Sequence, residues 1–231
     1  MKTIGMLGGM SWQSTVLYYQ EINEGIKEKL GALHSAEIIL NSVDFDRIER
    51  LQREGDWGAT SDILKKAAKS VELAGADFLI ICTNTMHIVA PEITTYLTIP
   101  VLHIADATGE KLVKDGISSV GLLGTNFTME KSFYKERLFE QFNIRTLIPS
   151  SEERVELHRI IYEELCLGVV KESSQEYYLG VIEKLQTAGA EGIILGCTEI
   201  GMLVSKKDTT VRLYDTTKIH AERAVNFALE F

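Results

Sequence analysis

Residues 74–85 read A-G-A-D-F-L-I-I-C-T-N-T, and residues 188–199 read A-G-A-E-G-I-I-L-G-C-T-E. Laid over each other, the two stretches put Ala74 on Ala188, Thr83 on Cys197, Asn84 on Thr198 and Thr85 on Glu199. Two further segments repeat in the same order. Residues 4–9 (I-G-M-L-G-G) resemble 120–125 (V-G-L-L-G-T), and Asp106-Ala107-Thr108 is echoed by Asp215-Thr216-Thr217. Three echoes at near-constant spacing imply two copies of one unit. Each long stretch passes from a helix-ending glycine, through an apolar run of strand length, to polar residues, which is the helix-to-strand passage of an α/β unit. The expectation is an α/β protein of two pseudo-symmetric lobes, each a parallel sheet flanked by helices. One lobe would take about 1–100 with 216–231, the other about 101–215. Two like units facing each other would form a cleft with Thr83 and Cys197 on opposite walls, a geometry suited to chemistry on both faces of one carbon.

The bulk properties narrow the class. A chain of 231 residues, 45% hydrophobic and 25% charged, is ordinary for a soluble globular protein with a real core. No apolar run approaches the roughly 18 residues of a membrane span, and Met1-Lys2 leads directly into a strand-like segment, so neither a membrane anchor nor a signal peptide is expected. Cys82, Cys166 and Cys197 make an odd count, which is no disulfide framework and suits reduced cytoplasmic thiols. The net charge of −9 argues against a nucleic-acid partner. The histidines (His34, His87, His103, His158, His220) are scattered without zinc spacing, so no metal is expected. A homodimer is the expected assembly.

Apolar runs alternate with stretches of helical period. Strands are predicted at 3–7, 37–43, 78–82, 100–103, 119–123, 145–147, 192–196 and near 212–214, with helices over 14–30, 61–74, 106–114, 129–142, 152–167, 176–188 and 217–229. In open parallel sheets, ligands bind beyond the carboxyl ends of the strands. Three motifs fall there.

Gly8-Gly9-Met10-Ser11 closes the first strand and opens a helix, where backbone N–H groups attract anions; a tight turn needing glycine is the plain alternative. Its spacing is not the dinucleotide fingerprint. Thr83-Asn84-Thr85 ends the third strand with hydroxyl and amide donors suited to a carboxylate, or else caps a helix. Cys197-Thr198-Glu199 ends the matching strand of the second half, where a following helix N-terminus would favour a thiolate. Cys82 is one residue out of register with Thr83, so it faces the core, and Cys166 reads as a buried, inert residue. Glu199 would orient a water, bind an ammonium group or answer a helix dipole. His87 reads as structural, and Gln52, in L-Q-R-E-G-D-W, as an exposed polar residue.

At these residues the chain resembles the aspartate/glutamate racemase superfamily from end to end. The likeness rests on G-M-L-G-G-M-S-W-Q-S-T (5–15), S-V-D-F (42–45), G-D-W (55–57), T-N-T-M-H (83–87) and G-C-T-E-I (196–200). It implies racemisation of an amino acid without pyridoxal phosphate or any other cofactor, between two pseudo-symmetric lobes. It also implies a substrate site lined by Met10, Ser11, Gln52, Asn84, Thr85, Thr198 and Glu199. Members of the family typically carry cysteine at both strand ends, whereas this chain has Thr83 at the first and Cys197 at the second. That pattern is similar to a branch preferring L-aspartate and L-glutamate, with possible extension to homoserine-like substrates. Cys197 would take the α-proton from the L-enantiomer, and Thr83 or an adjacent water would serve the other face, since a threonine hydroxyl is a poor base. A single-cysteine decarboxylase of the superfamily and a catalytically weak amino-acid-binding protein are the alternatives. Arg47, Arg50, Arg53 and Lys171 are available for a distal carboxylate, with none singled out.

Overall fold

A computed structural model of the chain describes residues 1–230. Contacts divide it into two compact units: residues 1–104 with the C-terminal stretch from His220, and Ala105–Ile219. Residue 231, within the C-terminal stretch assigned above to the first lobe, lies outside the described residues.

The first unit runs β1 (Ile4–Gly8), α1 (Trp12–Leu30), β2 (Ile38–Ser42), α2 (Phe45–Glu54), α3 (Trp57–Leu73), β3 (Phe78–Ile81), a 3-10 turn (Thr85–Val89), α4 (Ala90–Tyr96) and β4 (Val101–Leu102). Its sheet is all parallel in the order β2-β1-β3-β4. β1 and β3 are buried along their whole length, as strands covered by helices on both faces must be. Alternation divides β3 between two cores. Leu79 and Ile81 pack with Leu64, Ala68 and Ile93 from α3 and α4, while Phe78, Ile80 and Cys82 pack with Tyr18, Ile22 and Ala224 on the other face.

The second unit repeats the plan: α5 (Ile104–Lys114), β5 (Ser119–Gly124), α6 (Asn126–Glu130), α7 (Ser132–Phe142), β6 (Arg145–Leu147), α8 (Ser151–Glu163), a second 3-10 turn (Leu165–Leu167), α9 (Glu172–Thr187), β7 (Gly192–Gly196), α10 (Ile200–Leu203) and β8 (Arg212–Asp215). The order β6-β5-β7-β8, again parallel, matches the first sheet position for position. The last helix, α11 (Thr216–Leu229), begins in this unit and continues into the first from His220.

All eight predicted strands form, and the α/β class holds. The helices differ in detail. α2, α4 and α10 fall outside the predicted helix ranges, α4 and α10 where only a helix start was expected after Thr85 and Glu199. The expected helix over 129–142 is two helices broken at Lys131, whose extended φ/ψ of −69°/151° ends α6 and starts α7. Gly75 and Gly189, after the ends of α3 and α9, take φ of 105° and 103°, where a side chain is penalised. Among the described residues no helix is long and apolar enough to cross a membrane.

Candidate active site

The polar strand ends of each unit were built from different local chemistry. In the first unit β1 ends at Gly8, and Gly9 follows with φ of 91°. A Cβ at Gly9 would lie 2.2 Å from the Val43 carbonyl oxygen, so only glycine lets the chain turn here. The Gly9 N–H donates to Thr15 Oγ1 at 2.8 Å. Ser11 caps α1, its hydroxyl accepting the Ser14 N–H at 3.3 Å. The turn is thus a glycine turn with a capped helix. Its Gly9 amide is engaged by Thr15. Met10, between them, is buried.

At the end of β3 the chain leaves the ladder at Thr83. Its N–H closes back on the Ile81 carbonyl at 2.9 Å, a three-residue turn. Thr83 is partly exposed, while Asn84 and Thr85 are buried beside it. Asn84 heads the 3-10 turn without a side-chain cap bond, so capping does not account for it. Cys82 is fully buried among Ile80, Phe78 and Tyr18, and desolvation drives its thiol far above the ordinary range. Gln52 is only 3% exposed within α2, whereas the sequence reading placed it on the surface. It sits one position from the exposed Arg53, on the inward stripe with Ile48, i to i+4.

In the second unit Gly196 is the last residue of β7, and Gly124 the last of β5; the two are paired in register. A Cβ on Gly196 would stand 2.8 Å from the Leu123 carbonyl oxygen, so the strands approach too closely for any side chain. Cys197 follows, partly buried. Its thiol donates to Glu199 Oε2 at 2.9 Å, and Thr198 Oγ1 donates to the same oxygen at 2.5 Å. Glu199 is 7% exposed and makes no side-chain cap to α10. Burial first, and the Glu199 charge second, hold the Cys197 thiol well above its ordinary pKa.

This corrects the expected thiolate. α10 spans four residues, too short for a helix dipole to matter, and the nearest charge is a carboxylate that disfavours a second anion. Cys166 also departs from expectation. It lies in the 3-10 turn Leu165–Leu167, only partly buried, with its thiol pushed up to about 12 by desolvation and by Glu199. Of the cations considered for a distal carboxylate, Arg50 pairs with Asp46 and Lys171 with Glu164, while Arg47 and Arg53 are exposed.

Within the first unit the structure therefore brings together Thr83, Asn84 and Thr85 at one strand end and Met10 and Ser11 at another, while Gln52 is carried by α2. Within the second it brings together Cys197, Thr198 and Glu199. The sequence reading missed the thiol–carboxylate bond, although the Cys-x-Glu spacing across a strand-to-helix turn was its signal. It also missed the buried polar cluster of Tyr18, His87, His103 and His220.

Comparison with known proteins points one way. A profile of the Asp/Glu/hydantoin racemase family matches residues 7–224. A crystal structure from Yersinia pestis, whose protein carries a provisional Asp/Glu racemase assignment, is 50% identical with a TM-score of 0.94, covering 100% of both chains. The crystal structure of an aspartate racemase homologue from Pyrococcus horikoshii is 36% identical with a TM-score of 0.87, again over 100% of both. The broad specificity amino-acid racemase RacX of Bacillus subtilis is 22% identical, covering 99% of each chain.

Proposed function

Because the chain belongs to the Asp/Glu/hydantoin racemase family, we propose that it interconverts the L- and D-forms of an acidic amino acid without pyridoxal phosphate or metal. Cys197 removes the α-proton of the L-enantiomer, and the Thr83 hydroxyl, or a water at its side, returns a proton on the opposite face. The likeness to an aspartate racemase homologue supports an acidic substrate. The likeness to a broad-specificity enzyme leaves room for neutral analogues such as homoserine.

The observation that carries the reading is the Cys197–Glu199 bond. A buried thiol beside a carboxylate is protonated, and its proton already points at an acceptor. A substrate ammonium group arriving near Glu199 supplies the positive charge that relieves this repulsion. The thiol proton then moves to Glu199, and the thiolate takes the α-proton. Binding thus activates the base only when substrate is present, so substrate binding energy goes into the reacting state. The electron pair left on the α-carbon delocalises into the α-carboxylate, whose developing enolate charge is met by the donors of Asn84 and Thr85, and by the Thr198 hydroxyl once Glu199, now protonated, releases it. Met10, Ser11 and Gln52 complete the substrate surface in this reading. On the other face the Thr83 O–H gives up its proton and takes one from water, while Glu199 returns its extra proton to solvent, so the charges balance and the hydroxyl relays rather than ionises.

The test is a panel of L- and D-aspartate, glutamate and homoserine incubated with the protein in D₂O, with nothing added, and the α-proton followed by NMR. Deuterium entering an acidic amino acid with inversion is expected, and Cys197→Ala should abolish it while Cys82→Ala and Cys166→Ala retain it. No α-exchange with any substrate refutes the reading. Release of carbon dioxide from a substrate bearing two carboxylates on one carbon would replace it with a decarboxylase.

A further inference from the structure

His87 is completely buried beside Thr83, and the mechanism above leaves it without a task. Both of its ring nitrogens are bonded. The backbone N–H of Ile104, which can only donate, reaches Nε2 at 3.2 Å, so Nε2 carries the lone pair. The proton is then on Nδ1, which donates to the Thr83 carbonyl at 2.8 Å. Geometry alone sets the tautomer.

The consequence falls on Thr83. The residue has left the ladder of β3, and its N–H is closed on Ile81 O. Its carbonyl is taken by the imidazole. With both peptide groups held, the direction of the Thr83 Cα–Cβ bond is set by one turn and one histidine rather than by a neighbouring strand. The ring itself is braced. His103 meets it edge-on with centroids 4.5 Å apart, and His220 at 5.8 Å. The His220 Nδ1 lies 2.9 Å from the Tyr18 hydroxyl and Nε2 lies 2.9 Å from the Leu102 carbonyl. A carbonyl accepts only, so Nε2–H donates to it and Tyr18 O–H donates to Nδ1. All four side chains belong to the first unit.

We infer that His87 is a positioning residue for the Thr83 face: its Nδ1–H to the Thr83 carbonyl aims the hydroxyl at the α-carbon. This rests on the assignment of Thr83 under the proposed function. A satisfied core histidine would matter only for stability, and the two roles separate by experiment. Asparagine places its amide nitrogen where Nδ1 stands and keeps the donor to Thr83. Glutamine extends to the position of Nε2 and keeps a partner for Ile104 but not the Nδ1 donor. In D₂O, starting from the L-substrate, label entering residual L requires Cys197 alone, whereas D-product requires both faces.

His87→Gln should therefore lower D-formation by about 10²-fold, the cost of an ångström-scale misplacement, with label entering L at the wild-type rate. His87→Asn should stay within about threefold of wild type. In a Thr83→Ala background, His87→Gln should add nothing further, as expected when two residues act through one another. A fall of both rates together in His87→Gln, or no fall in either, overturns the inference. If Thr83→Ala itself leaves D-formation intact, it is the assignment of Thr83 that fails.

Discussion

The most exposed link in the proposed mechanism is the placement of Cys197, and Gly196→Ala tests it from one residue away. A Cβ at Gly196 would meet the Leu123 carbonyl oxygen at 2.8 Å and the Leu122 Cδ1 and Thr128 Cγ2 atoms at 3.1 Å. The leucine methyl can rotate aside; the backbone oxygen cannot. An ordinary contact needs about 3.4 Å, so β7 must move away from β5 by roughly half an ångström at its end. Overpacking of this kind costs about 1–3 kcal/mol. Alanine also stiffens the unfolded chain, returning about 0.4–1 kcal/mol, so the clash wins and the net loss is about 1–2 kcal/mol.

The kinetic effect should be larger than the loss of stability suggests. Cys197 is carried on the displaced end, and half an ångström at a reacting atom costs about tenfold where a whole one costs about 10²-fold. Because every route from the L-substrate starts at Cys197, label entering residual L and formation of D-product should fall together. That distinguishes this variant from those at Thr83 or His87, where only inversion falls. The assay pairs a thermal or urea unfolding curve with NMR of the α-position in D₂O. A Gly196→Ala protein with wild-type stability and wild-type exchange would show that the strand pair yields without moving the thiol, and the argument from close approach would be wrong.

Three further outcomes are expected. Glu199→Gln removes the charge that helps hold the Cys197 thiol above its ordinary pKa, so iodoacetamide should alkylate Cys197 faster at neutral pH while substrate exchange falls; slower alkylation would contradict the pairing. Thr83→Cys places an ionisable thiol on the weak face and should speed inversion at least tenfold, within the roughly 10²–10⁴ of a positioned acid–base group; unchanged inversion would mean another group serves that face. Glu72, held at about 2 by the Lys69 ammonium and by the Thr98 N–H, should stabilise the fold fully above about pH 4.5 and lose that contribution as the pH falls toward about 2. Glu72→Gln should then cost about 1–3 kcal/mol at pH 7, with the gap to wild type closing in acid; a gap that stays constant from pH 7 to 2 would refute the assignment.

The central strands were legible because burial on both faces leaves a short continuous apolar run, as at 78–81 and 192–196. The helices whose ranges the periodicity does not give are short or discordant. α4 carries proline in its first turn and runs for seven residues, and α10 for four, too few for a period to show. The burial of Gln52 was hidden because a polar residue on an amphipathic helix is read outward by default, and only the packing of α2 through Ile48 turns its stripe inward. The protonation of Cys197 was equally hidden. A helix N-terminus and a buried carboxylate act on a thiol in opposite senses, and sequence spacing did not say that α10 would be one turn long or that Glu199 would fold back onto the sulfur.

In the proposed mechanism the two copies of the unit differ at these strand ends. At the end of β7 Cys197 is followed two positions later by a carboxylate that accepts its hydrogen bond. At the end of β3 the partner stands four positions on and is an imidazole directed at a backbone carbonyl. The difference follows from the chemistry of the residue each one serves. A thiol can be switched between acid and base by a neighbouring charge, so a partner that changes its pKa is useful. A threonine hydroxyl does not ionise in the working range, and a base beside it would gain little. What limits it is direction, and a fixed tautomer bonded to its own carbonyl controls direction. On this reading the duplicated fold supplied two strand ends of like geometry, and substitution at positions 83 and 197 decided that one would be tuned by charge and the other by placement.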